Sequence, residues 1–237
     1  MYLFKHRLRN EPDREAAKQY FNNLLKEIVY YFFDYVEREN EVPEQKILGK
    51  LWQEIVNNTS YLTKLHKNDT KKEYVEKSFE YIKFFYVKFK DNPGRIVAVN
   101  HPYKFKINGS VIQGVFPVIR ETADGIEISS FNIDTTVKNK YYRERSFEYP
   151  LIKHAFHETF PNRECTIKHY DIFNEREDEI ETDKADRLRA FKQVENIVDS
   201  IERSDFYYST KHCRHCSYKK ICKQWGKPGF TERISRR

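Results

Sequence analysis

Apolar residues recur every three or four positions through much of residues 1–90, and β-branched runs bounded by turn residues follow from about residue 95, so the chain changes from helical to extended patterning there. From Pro12 to about Asn40, Phe21, Leu24, Leu25, Ile28, Phe32 and Val36 fall on one helical face, with a proline suited to the first turn. A second helix is predicted after Pro43 on Ile47, Leu48, Leu51, Trp52 and Ile55, and a third from about Thr70 to Lys88 on Tyr74, Phe79, Ile82 and Phe85. At Asn92-Pro93-Gly94 the texture changes. The β-branched runs Arg95 to Ile107, Ser110 to Glu121 and Gly125 to Ile133 are joined by Asn108-Gly109 and Asp124-Gly125, residue pairs that accept the positive φ of hairpin turns. Three antiparallel strands are therefore predicted. Helical spacing resumes around Phe147 to Phe160, a short strand follows at Cys165 to Phe173, and Asp183 to Arg203 reads as a helix with Leu188, Phe191, Val194, Val198 and Ile201 inward.

The fold class expected from this order is mixed α/β. Residues 1–90 form a helical N-terminal part, 91–210 an α/β core of the same domain, and 211–237 a tail. A chain of 237 residues is long enough to bury a full core without a second domain. The most apolar stretch, Ile28 to Val36, carries an acid and is far too short to cross a bilayer, and the opening MYLFKHRLR lacks a charged-then-apolar leader. A cytoplasmic protein without a membrane partner is expected, in the host cell if the chain is phage-encoded.

Charge is distributed unevenly. From Lys211 onward there are nine Lys or Arg and one acid, so the tail carries about +8 against a net charge of +7 for the whole chain. Lys211, Arg214, Lys219, Lys220, Lys223 and Lys227, with Trp225, Tyr207, Tyr208 and Tyr218 interleaved, are candidates for gripping a strand by counterion release and stacking. A solubilising tail would have the same composition.

Three of the four cysteines fall in the same tail, as Cys213-x2-Cys216-x5-Cys222. Thiolates at this spacing converge on one metal centre when the chain turns back. Three ligands are present and a fourth is needed. Cys165 is one candidate, although a small buried thiol at the start of a strand commonly has no such role. His212 and His215 read as phosphate or solvent contacts. Spacing alone leaves zinc and an iron–sulfur cluster open.

The order of helices, three-stranded meander, helix, strand and helix, followed by the cysteine cluster, resembles the RecB-type branch of the PD-(D/E)XK nuclease superfamily. It resembles the members with an iron–sulfur staple, such as the AddB nuclease domain and the CRISPR-adaptation nucleases. The resemblance runs over roughly residues 75–225 and rests on Arg95 to Phe105 (RIVAVNHPYKF), Val111 to Ile119 (VIQGVFPVI) and Asp124 to Asn132 (DGIEISSFN). It implies a [4Fe–4S] cluster in preference to zinc. Its N-terminal ligand cysteine has no counterpart here, so His6 joins Cys165 as candidate fourth ligand.

Catalysis in such nucleases needs three carboxylates to hold one or two divalent metals, and a lysine to orient the nucleophile. Carried over, those positions fall on Asn100, Pro117, Ser130 and Asn132. The DNA-facing Gln-x3-Tyr of the following helix falls on Pro150 and His154. Not one of these residues matches. Neutral side chains bring no charge to a hard, reluctantly dehydrated cation, so loss of catalysis is the simplest reading. A migrated site would draw on Glu127, Asp134 and Lys138, which otherwise read as an ordinary strand acid and loop charges. Three functions are therefore expected as alternatives: a silent nuclease-like module binding DNA, preferably single-stranded, or a protein in DNA processing; an active exonuclease with a rearranged site; or a phage or mobile-element assembly protein that reuses the fold, with a constant partner or self-assembly.

Overall fold

The computed structural model describes residues 14–58, 68–132 and 147–203. Three helices come first: α1 (Arg14–Glu39), α2 (Gln45–Asn58) and α3 (Asn68–Phe89). They are followed by β1 (Arg95–Ile107), β2 (Ser110–Thr122), β3 (Gly125–Asn132), α4 (Glu148–Thr159), β4 (Cys165–Asp171), β5 (Arg176–Glu179) and α5 (Lys184–Glu202). The predicted hairpins are present, with Asn108, Gly109 and Gly125 all at positive φ.

The five strands form one mixed sheet in the order β1-β2-β3-β4-β5. Pairing is antiparallel except between β3 and β4, which run parallel with Ser130 beside His169 and Asn132 beside Asp171. A parallel neighbour needs a crossover, and α4 lies within the connection that makes it.

Each face of the sheet has its own apolar cluster. On one face, Leu25, Ile28, Val29, Phe32 and Phe33 of α1 and Tyr81, Ile82, Phe85 and Phe89 of α3 pack against Ile96, Val118, Phe131 and Tyr170. On the other, Leu151, Ile152, Ala155 and Phe156 of α4 and Ala190 and Val194 of α5 cover Phe105, Phe116, Ile119, Ile128 and Ile167. Alternation along β3 follows from this sandwiching. Glu127, Ser129 and Phe131 face α1 and α3, while Ile126, Ile128, Ser130 and Asn132 face α4 and α5.

Two expectations need correction. The strand from Cys165 ends at Asp171 and gives way to a 3-10 turn, Ile172–Asn174, before the unanticipated β5. In α5, Leu188 and Ile201 are each 57% exposed and not inward. At about 100° per residue Leu188 stands 120° from Val194, off the buried stripe. Ile201 shares the stripe but lies in the last turn, beyond Val198.

Phe33 anchors the first cluster, with its ring centroid 5.3 Å from Phe89 and 5.5 Å from Phe131, so it links α1 to both α3 and the sheet. Phe33→Ala should destabilise the fold by about 3–5 kcal/mol, the usual range for an emptied aromatic core site, as measured by urea unfolding.

Candidate functional site

The first two positions of interest mark a kink in the β1–β2 hairpin. Asn100 is exposed and sits within β1 at φ 50°, a left-handed conformation that asparagine tolerates better than most residues. Pro117 lies between Phe116, which pairs with His101, and Val118, which pairs with Val99, and it has no N–H for the ladder. The strands exchange faces here. Val99 and Val118 join the α1–α3 cluster, whereas Tyr103, Phe105 and Phe116 join the α4–α5 cluster. At this point of the scaffold, backbone geometry occupies the positions where the resemblance calls for metal-binding acids.

Ser130 and Asn132 stand at the end of β3 on the α4 side. Ser130 Oγ is 3.3 Å from Nδ1 of the buried His169, and the Tyr149 hydroxyl of α4 is 2.8 Å from the same nitrogen. The serine therefore belongs to a hydrogen-bonded Tyr–His–Ser group. Beside Asn132, Asp171 is 2% exposed, and its Oδ2 accepts a hydrogen bond from Asn174 Nδ2 at 2.9 Å. It is the one carboxylate that the register places against these positions. Among the described residues, no three His, Cys, Asp or Glu side chains are grouped closely enough to share a metal ion.

Glu127 lies on the opposite face. It is 2% exposed, and Oε1 accepts from Arg120 Nη2 at 2.9 Å, Arg120 Nε at 3.1 Å, the Tyr170 hydroxyl at 3.0 Å and the Ser129 hydroxyl. Arg120 also donates to the Pro93 carbonyl at 3.1 Å, and its guanidinium stacks 5.0 Å from the Phe89 ring centroid. Lys168 Nζ stands 3.8 Å from Glu127 Oε2 and 3.0 Å from Glu177, which Lys88 also binds at 2.8 Å. Burial raises the Tyr170 phenol well above its ordinary range, outweighing the nearby guanidinium, so this hydroxyl stays a donor. A cavity of about 230 Å³ opens beside the group, and of the acids that line it Glu127 and Glu177 already have basic partners. Nothing in the local pattern around Glu127 distinguishes it from an ordinary strand acid, although four donor groups converge on its Oε1. The only available signal was its place opposite Arg120 in the hairpin register.

Cys165 begins β4 within the α4–α5 cluster, 6% exposed, and burial pushes its thiol up to about 12. Such an environment resists the thiolate that metal ligation requires. Pro150 is buried in the first turn of α4, and the His154 ring makes edge contacts with Phe105 and Phe191, with centroids 5.0 and 4.9 Å away. His6, Asp134, Lys138, Lys211, Cys213, Arg214, Cys216, Lys219, Lys220, Cys222, Lys223, Trp225 and Lys227 lie outside the described residues. Among the described residues, no helix is long and apolar enough to cross a membrane. The chain matches no known protein-family profile and no curated protein.

Replacing Glu127 with glutamine should cost about 3–5 kcal/mol in urea unfolding, because Arg120 is left as an uncompensated buried charge. A loss below about 1 kcal/mol would mean that the pair does not bear the charge burial described above.

Proposed function

We propose that this chain is a nuclease-like module that no longer hydrolyses nucleic acid and instead holds a strand, single-stranded DNA in preference, or a protein partner in DNA processing. One observation carries the reading. At the end of β3, where the resemblance puts an acidic ligand and a lysine, the side chains are Ser130 and Asn132, and Ser130 lies beside the hydrogen-bonded Tyr149–His169 pair. Two-metal phosphodiester hydrolysis needs several hard anionic ligands to polarise the phosphate and generate hydroxide. Asp171 alone falls short of that set, and Glu127 is held on the far face by Arg120.

The antiparallel meander joined through a helix to a parallel fourth strand supports the nuclease-like reading of the scaffold, although fold by itself does not assign activity. The reading gives the tail an iron–sulfur cluster, with zinc as the alternative, held by Cys213, Cys216 and Cys222. His6 is the preferred fourth ligand, since burial holds the Cys165 thiol protonated. When bound, such a centre would fasten the tail to the body, its binding energy contributing directly to folding. The basic residues of the tail would then supply the salt-sensitive grip on a strand.

Asp171 is the observation that favours a second reading, a hydrolase with a rearranged site built around this carboxylate. A time course of end-labelled single- and double-stranded DNA, with protein purified anaerobically and Mn2+ in excess, decides between them. Intact DNA with retarded bands that weaken steeply as salt rises is the expected result. Degradation abolished by Asp171→Asn would establish the enzyme and overturn the proposal.

A further inference from the structure

One face of α4 presents Lys153, His154 and His157, spaced so that they adjoin along the helix. Opposite them, the segment entering α5 supplies Thr182, Lys184 and Arg187, and the two elements enclose a cavity of about 180 Å³. Its charge is unbalanced. Among the described residues, the side chains of Lys153, Lys184 and Arg187 have no ion-pair or hydrogen-bond partner, and the Thr182 hydroxyl is buried without one. The cavity beside Glu127 is different, since Lys88, Lys168 and Arg120 are all matched there by Glu177 and Glu127.

Among the described residues, the acids nearby are few or already engaged. Asp183 lines the cavity, but its Oδ1 accepts from the Asp186 backbone N–H at 2.7 Å, while Asp186 returns the bond and pairs with Arg189. Glu164 stands 3.9 Å from His157 Nε2 and is itself 89% exposed, and Glu158 acts on His154 from the same helix. The cavity therefore keeps a positive excess. The imidazole of His154 registers it: burial lowers its pKa first, Glu158 opposes this, and Arg187 and His157 lower it further.

We infer that this cavity between α4 and the start of α5 binds a phosphate group. An arginine fork with two lysines suits a doubly charged oxyanion that accepts several hydrogen bonds, and the Thr182 hydroxyl adds a donor. The space is smaller than the roughly 300–1,000 Å³ of pockets that enclose a whole ligand, so it takes the group and leaves the rest outside. The inference rests on the strand-holding reading only for the source of the phosphate, which would be a backbone diester or a terminal monoester of the strand; free phosphate is the other source.

The test follows the His154 and His157 ring resonances by NMR in the full-length protein, during titration with inorganic phosphate and with 5′-phosphorylated or 5′-hydroxyl oligothymidylate. Phosphate should shift both rings and raise the His154 pKa. Both Lys153→Gln/Arg187→Gln and the exposed Lys184→Gln should fold and weaken binding, the double variant by about tenfold or more. A requirement for the 5′-phosphate would assign the site to strand ends, and indifference to it would assign the site to the backbone. Rings that respond to phosphate in a protein that binds no oligonucleotide would keep the site and overturn the strand-holding reading. Oligonucleotide binding that leaves both rings unmoved and is equal in the variants would overturn the site while that reading stands. Equal competition by polyglutamate would also overturn it, by marking a generic surface for acidic peptides.

Discussion

The buried ion pair of Arg120 with Glu127 is the interaction on which the arrangement of the sheet depends. A carboxylate and a guanidinium withdrawn from water must find nearly all their partners locally, and here these come from the Pro93 carbonyl before β1, Ser129 of β3 and Tyr170 of β4. Strand register has a period of two, so a slip of one residue would turn Glu127 toward Ile152 and Phe156 and turn Ile128 toward the arginine. That alternative buries an unpaired charge on one face and leaves another unpaired on the opposite face. The pair thus specifies which side chains of β3 face α1 and α3 and which face α4.

Once that register is set, the chemistry at the end of β3 follows. Ser130 and Asn132 must face α4, where Tyr149 and His169 meet them, and the parallel neighbour β4 brings Asp171 alongside. The result is a polar strand end where, among the described residues, Asp171 is the carboxylate paired with β3 and no three potential ligands are grouped to share a metal, an arrangement suited to hydrogen bonding more than to holding hard cations. Elsewhere, between α4 and the start of α5, Lys153, Lys184 and Arg187 line one cavity with Asp183 and, among the described residues, have no ion-pair partner.

Much of this fold was legible in the chain because local rules and tertiary packing agree. The stripe of Leu25, Ile28, Phe32 and Val36 and the Asn108-Gly109 and Asp124-Gly125 turns each predict the element that forms. β5 was not legible, since Arg176–Glu179 contains no apolar residue; it forms on the edge of β4, where Asp178 is buried and bonded by Arg176 at 2.7 Å. Leu188 and Ile201 were misread for simpler reasons: α5 packs along a narrow stripe that Leu188 misses, and Ile201 lies on the stripe but in the last turn, beyond the packed part. The exchange of faces at Asn100 and Pro117 also escaped, because two adjacent strands must kink together to produce it. The α4–α5 cavity joins residues some thirty positions apart, beyond the reach of any local spacing rule.

The central claim is that the body does not hold divalent metal at the ends of β3 and β4. Electron paramagnetic resonance of free Mn2+ during titration into the full-length protein tests it most directly. The account predicts no stoichiometric site that responds to Asp171→Asn, with free Mn2+ rising identically in the wild-type and variant proteins. One tight equivalent of Mn2+ in the wild type, lost in Asp171→Asn, would contradict it.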